Sequence, residues 1–304
     1  MLTHAIDQYI ALRRSVGFKL GEEAPMLRSY AQFASDRGDT HVRTHRALEW
    51  AALAPSPRQR GTRLRVVIAF ARHALAEDAG HDLPPNGVFT RSGGRPRRSP
   101  YIYRVDEIQD LLNAAAKLGP AGSLRPRTYY TLFGLLACTG LRVSEALALR
   151  LDDFSDGRLI VRRTKFGKSR WVPLHPTSVA AVSDYIRRRP QVRPADDHVF
   201  VSTYGRPLRY KYVLQTFLTL VAGTIGAATG LRRPTIHALR HTFAVRALES
   251  SPNGRDHVGW HIRALSTYLG HSSVACTYWY LRATPHLMHD LADLCQPVVE
   301  GVAP

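Results

Sequence analysis

The chain has 304 residues, room for two ordinary domains or one large one, and its 44% hydrophobic and 22% charged content is globular and excludes a disordered chain. Its 42 Lys and Arg against 24 Asp and Glu give a net charge of +18 and a pI near 10.4. Such a field draws polyanions, nucleic acid first, while an arginine-rich composition inherited from a GC-rich genome is the bland alternative.

Residues 1–80 read as four helices. Ile6, Tyr9, Ile10, Leu12 and Val16 form one apolar stripe, and Met26, Leu27, Tyr30, Ala31 and Phe33 form the next. Leu48 to Leu53 is a short third segment with Thr44 as its expected cap. Leu64, Val67, Ile68, Phe70, Ala71 and Leu75 make the fourth, entered through a basic run in which Arg63 and Arg65 are candidate DNA contacts. Residues 81–100, HDLPPNGVFTRSGGRPRRSP, then carry four prolines, three glycines and four arginines, the texture of a linker. Arg91, Arg95, Arg97 and Arg98 are either a solvated tether or contacts to a phosphate backbone. The expected organisation is a helical domain over 1–92, a basic linker over 93–100 and a second domain over 101–304. Both halves are basic, +7 over residues 1–100 and +11 beyond, which suits a protein that grips a duplex from two sides.

The second domain opens with two helices, VDEIQDLLNAAAKL and a buried TYYTLFGLLAC. RLIVRR and SRWVPL alternate about the turn KFGK and read as a β-hairpin projecting from an otherwise helical domain. Further helices are expected near 176–189, 210–223, 236–250, 258–268 and 273–282, with one more apolar segment, HDLADLCQ, beyond Met288. No apolar run, VVIAFA and LFGLLAC included, approaches the roughly 20 residues of a membrane span, and Asp7, Gln8, Arg13 and Arg14 interrupt any secretory signal. Cys138, Cys276 and Cys295 show no CxxC spacing, so neither a zinc site nor a disulfide framework is expected. Buried, reduced thiols and a cytoplasmic, nucleoid-associated location follow as expectations.

Four strings carry chemistry: TGLRVSEALAL, RRTKFGKSRWVPLH, HALRHTFA and LGHSSVACTYWYL. They supply Arg142, Lys165, His237, Arg240, His271 and a tyrosine, the groups needed to attack a phosphodiester without metal. Fixed guanidiniums balance charge on the non-bridging oxygens, a phenol forms the covalent phosphoester, and a proton donor releases the leaving oxygen. Arg142 follows Gly140 at a helix start, where amides favour anions; alternatively it is a surface partner of Glu145. His237, Arg240 and His241 share one helix face. Lys165 and Lys168 flank a turn glycine, and either could donate a proton or only touch phosphate. Gly270 permits a tight approach beside His271, and Ser272 or Ser273 can cap the next helix. On that helix Tyr278 and Tyr280 face opposite ways, so one alone can enter the site.

In content, order and spacing these strings resemble the catalytic boxes of the tyrosine recombinases, the phage-integrase and Xer-like family, over roughly Tyr101 to Met288. The resemblance implies a mainly α fold with a small β-hairpin: an N-terminal four-helix core-binding domain and a mostly helical catalytic domain. It implies Arg142, Lys165, His237, Arg240 and His271 as catalytic, Tyr280 as nucleophile and Glu145 as the acid that orients this region. His241 is then structural, and Tyr278 and Trp279 are packing residues. It also implies a site-specific recombinase or integrase of a mobile element that needs no metal, cofactor or ATP. Its partner would be a double-stranded DNA recombination site, bound as a tetramer on two sites, with partner recombinases or accessory factors. A type IB-like topoisomerase and a DNA-binding regulator without activity are the alternatives, the latter disfavoured by intact Arg142, Arg240 and Tyr280.

Overall fold

In the computed structural model the described residues are 2–89, 100–162, 169–225, 233–250, 255–271 and 273–281. The chain divides into two compact units, Met1–Arg97 and Arg98–Pro304. Residues 90–99 are not among those described, so Arg91, at the end of the first expected domain, and the linker's Arg95, Arg97 and Arg98 lie outside the described residues.

The first unit holds four helices: α1 (Leu2–Ser15), α2 (Glu23–Ser35), α3 (Thr44–Ala52) and α4 (Pro57–Glu77). Ile6, Ile10, Leu27, Tyr30, Trp50, Leu64 and Phe70 build a shared core that none of these helices could bury alone. The stripes end earlier than expected, because Leu12, Val16 and Leu53 are exposed at 50%, 62% and 64%. Ser56 caps α4 by accepting from the Gln59 amide, and Pro57 occupies the first helical turn, where no amide partner is needed. Thr44 is not the cap of α3. That position belongs to Arg43, and the free Thr44 amide donates to the Asp82 carboxylate at 2.8 Å, a long-range partner that local sequence does not announce. Arg63 turns inward, its guanidinium over the Trp50 ring and donating to the Trp50 carbonyl, whereas Arg65 is exposed.

The second unit begins with α5 (Val105–Ala116), α6 (Arg125–Thr139) and the five-residue α7 (Val143–Leu147). Helix α6 is buried on most sides, with Leu132, Phe133, Leu135 and Leu136 packed in the core among Phe200 and Phe217. A three-stranded antiparallel sheet follows, β1 (Phe154–Ser155), β2 (Arg158–Val161) and β3 (Arg170–Pro173). The expected hairpin is β2–β3, registered Leu159 against Val172 and Ile160 against Trp171. Leu159, Val161 and Val172 face the core, while Arg158 lies over the Trp171 ring on the other face. The extra strand β1 was not foreseen from its two residues. The Asp156–Gly157 pair, both at positive φ, makes the tight turn that returns it onto β2. Helices α8 (Pro176–Arg188), α9 (Tyr210–Thr224), α10 (Ile236–Glu249), α11 (Arg255–Leu269) and α12 (Ala275–Leu281) complete the described part, close to the bounds expected. No described helix is long and apolar enough to cross a membrane. Cys138 and Cys276 are exposed free thiols rather than buried ones, because each occupies an outward position of its helix; Cys295 lies outside the described residues.

Candidate active site

The site forms where the end of α6, the start of α7, the middle of α10 and the α11–α12 corner meet. Gly140 ends α6 in the left-handed region, φ +60, where its amide still reaches the Leu136 carbonyl at 3.1 Å. A Cβ there would fall 2.6 Å from the Phe243 ring, so glycine is required by both backbone and space. That corner delivers Arg142 to the N-cap of α7. Its backbone amide donates to Glu145 Oε2 at 3.0 Å, and its guanidinium donates to Glu145 Oε1 at 2.7 Å and to the Gly270 carbonyl at 3.2 Å.

Helix α10 starts at Thr235, whose hydroxyl accepts from the Ala238 amide, and one turn later presents the second arginine. Arg240 is only 2% exposed, and its two arms donate to the carbonyls of Gly140 and Leu269, each at 2.7 Å. Its charge also acts on the Tyr280 phenol, favouring the ionised form. Among the described residues it forms no ion pair, and burial together with the Arg142 charge pushes its pKa down to about 10. A buried cation without a carboxylate is costly, and an anionic ligand would relieve it.

His271 leaves α11 after Gly270, with its Nδ1 held 2.8 Å from the hydroxyl of fully buried Thr277. Burial and the guanidiniums of Arg240, Arg142 and Arg170 push its pKa down to about 4, which leaves a neutral ring. The Ser273 hydroxyl accepts from the Ala275 amide, and α12 then carries both tyrosines. They separate as the 200° spacing requires: Tyr278 is 53% exposed and Tyr280 is 3% exposed. Tyr278 is thus a surface residue, not a packing one; the side chain of Trp279 lies outside the described set. Tyr280 lies parallel to the His271 ring at 6.0 Å, with its hydroxyl 3.2 Å from His241 Nδ1. Burial raises the phenol pKa, opposed by Arg240 and Arg142. His241 is pushed down to about 4, by burial first and then by His237 and Arg240. His237 stands edge-on to His241 at 4.6 Å, its pKa lowered by desolvation and by the two arginines.

Five of the six sequence candidates, Arg142, His237, Arg240, His271 and Tyr280, therefore meet in one place. Lys165 and Lys168 lie outside the described residues. Sequence reading missed Arg170, whose guanidinium grips both Glu145 oxygens at 3.1 and 2.8 Å, and it underrated His241, which touches the phenol directly. Only an alternating strand pattern hinted at Arg170, because its acceptors are 25 and 98 residues away.

Two other features compete for attention. A cleft of about 970 Å³, lined by Arg125, Tyr129, Tyr204, Arg206, Arg209 and Tyr212, contains none of these residues. His41, Asp78 and His81 have metal-ligand spacing, but His81 Nδ1 accepts from the Val42 amide at 3.0 Å, so its proton sits on Nε2, the nitrogen a metal would take. The cluster is better read as a clasp between the segments flanking α3 and α4.

Residues 102–286 match the family model described as the phage integrase family. The chain belongs to the phage integrase family. A putative integrase/recombinase of Sinorhizobium fredii, y4rB, is 40% identical over 300 residues, covering 94% of each chain. The tyrosine recombinase XerD of Caulobacter vibrioides is 32% identical over 244 residues, 77% of this chain and 74% of that one. Among solved structures, XerH recombinase bound to a palindromic difH substrate superposes with a TM-score of 0.66 at 16% identity, covering 90% of this chain and 79% of that one. A lambda integrase tetramer on a Holliday junction gives 0.60 at 19% identity, covering 92% and 76%. At those identities the structures show a shared fold; the relatives show that the chain is a tyrosine-type recombinase of the phage integrase family.

Proposed function

We propose that the chain cleaves and rejoins duplex DNA at a specific site through a 3′-phosphotyrosyl bond at Tyr280, using neither metal nor ATP. The supporting observation is that buried Tyr280 lies beside Arg240, a buried cation that forms no ion pair among the described residues, and near the His241 and His271 rings. The Tyr280 oxygen attacks phosphorus as the bond to the 5′-oxygen breaks. The phenolic proton passes to a neutral imidazole, His241 or His237, and the departing oxygen takes a proton from Lys165. Arg142, Arg240 and His271 face the non-bridging oxygens, where charge grows. Rejoining is the same step reversed, so no external energy is consumed.

The basic N-terminal unit would form the second half of a clamp, with Arg65, Arg91, Arg95, Arg97, Arg98 and Lys168 as candidate phosphate contacts. The tetrameric lambda integrase neighbour supports assembly as a tetramer on two sites. The test is covalent capture. The full chain is incubated in EDTA with a pool of nicked duplexes of randomised sequence, and DNA that survives detergent on the protein is recovered and sequenced. Enrichment of one motif, released by protease, is expected. Absence of any adduct, or dependence on a divalent ion, would refute the mechanism.

A further inference from the structure

We propose that Arg170, at the start of β3, is a positioning residue that sets Arg142 and the Tyr268–His271 segment in one geometry. The proposal rests on the phosphodiester reading above and concerns how its parts are held. Arg170 uses its whole fork: Nε donates to the Tyr268 carbonyl at 2.7 Å, and Nη1 and Nη2 take the two oxygens of Glu145. Glu145 in turn holds the Arg142 guanidinium and backbone amide, and the other arm of Arg142 reaches the Gly270 carbonyl. The result is a closed ring through three segments distant in sequence: 142–145, 170 and 268–270.

The burial pattern separates the roles. The Arg170 and Glu145 side chains are 9% and 7% exposed, whereas Arg142 is 30% exposed. One carboxylate between two guanidiniums leaves a surplus positive charge, and Arg142 is the member that faces outward. Each of the three nitrogens of Arg170 already donates within the protein, from a side chain that is largely buried. Gly270 completes the fit, since at φ +65 a Cβ would lie 2.7 Å from Arg170 Nη1. The register of β3, Arg170 against Val161, fixes where the fork begins. A lysine keeps the charge but lacks the planar paired donors, so it cannot close the ring.

The experiment compares the full-length parent with Arg170→Lys and Arg170→Ala, using the duplex recovered by covalent capture. Arg170→Lys is expected to melt near the parent and bind the duplex equally, yet cleave on the order of 10²-fold more slowly in a single turnover, as misplacement by about an ångström would cause. In an Arg142→Lys background the same change should add little, since both act through one guanidinium. A methylphosphonate at the scissile position removes one non-bridging charge, so the deficits of Arg170→Lys and Arg142→Lys should shrink together. Parental cleavage by Arg170→Lys, or losses that multiply with Arg142→Lys, would overturn the proposal; if Arg170→Ala unfolds, the lysine variant still decides. A DNA-free arm records ¹⁵N-arginine spectra of the whole chain. The Arg142 guanidinium signal, assigned by Arg142→Lys, should shift and broaden in Arg170→Lys, and an unchanged signal refutes the coupling. If the parent captures no duplex while this coupling is present, the recombination reading fails and the positioning role stands.

Discussion

The Tyr280 hydroxyl lies 3.2 Å from His241 Nδ1, and burial pushes the two groups in opposite directions, the imidazole down to about 4 and the phenol up. Both are therefore neutral at physiological pH, in a pocket whose positive charge comes from Arg142 and Arg240. On the proposed mechanism the neutral phenol hands its proton to the neutral imidazole as the oxygen attacks, and the arginines meet the charge that develops.

Tyr280 rather than Tyr278 is expected to carry the covalent bond. On a nicked duplex that lets the short cleaved fragment diffuse away, Tyr278→Phe should accumulate adduct at near the parental rate, because its ring is at the surface. Tyr280→Phe should accumulate none. Peptide mapping of the trapped adduct checks this, and an adduct persisting in Tyr280→Phe but absent in Tyr278→Phe would reverse the assignment.

Acid should weaken the fold before the carboxylates titrate. His241 and His271 are held near 4 in the folded chain, against about 6.5 when unfolded, so between these values the unfolded chain binds more protons. Their contribution is complete above pH 6.5 and is lost as pH falls toward 4. His81 and His237, also lowered, act in the same direction. Melting temperature followed by calorimetry should drop already between pH 6.5 and 5, and His241→Gln should flatten that part of the curve. A flat parental profile down to pH 5 would show that the imidazoles are not held neutral by the fold.

The helices and the five catalytic candidates that are described were legible because their signals are local: a 3.6-residue stripe, an i, i+3 pair, a glycine before a histidine. The choice between Tyr278 and Tyr280 needed the family spacing, and burial agrees with it. What stayed hidden depends on partners far along the chain. Thr44 looks like a cap until Asp82 is seen taking its amide. Arg170 looks like one more surface cation until Glu145 and Tyr268 close around it. Strand β1 was missed for the opposite reason, since two residues are too few to show a period although Asp156–Gly157 announced the turn.

Gly140→Ala should damage both stability and chemistry. The residue is at φ +60 with the Phe243 ring 2.6 Å from any added Cβ, so strain and overpacking combine to about 1–3 kcal/mol. Its carbonyl also anchors Arg240, so cleavage should fall further than the loss of folded protein explains. Chemical denaturation and single-turnover cleavage at a temperature where the variant is folded separate the two effects. Unchanged stability would mean the corner relaxes freely.

Affinity for duplex should fall steeply with salt, and both units should contribute to the slope. Each neutralised phosphate releases counterions, and the surplus is +7 over residues 1–100 and +11 over the remainder. Fragments 1–92 and 101–304 should each bind more weakly and with shallower slopes than the whole chain. Full affinity with an unchanged slope in 101–304 alone would remove the N-terminal unit from the clamp.

Lys165 is expected to protonate the departing 5′-oxygen. An alkoxide is a poor leaving group, so the donor matters most at this atom, whereas a thiolate departs without help. With sulfur in place of the bridging 5′-oxygen, Lys165→Ala should recover cleavage that is very slow on ordinary DNA. Arg240→Ala should not recover, because in the proposed mechanism its guanidinium meets charge on the non-bridging oxygens and sulfur at the bridge leaves that charge in place. Arg170→Lys should likewise fail to recover, since its effect passes through Arg142. If Lys168→Ala is rescued and Lys165→Ala is not, the proton comes from three residues further along the turn.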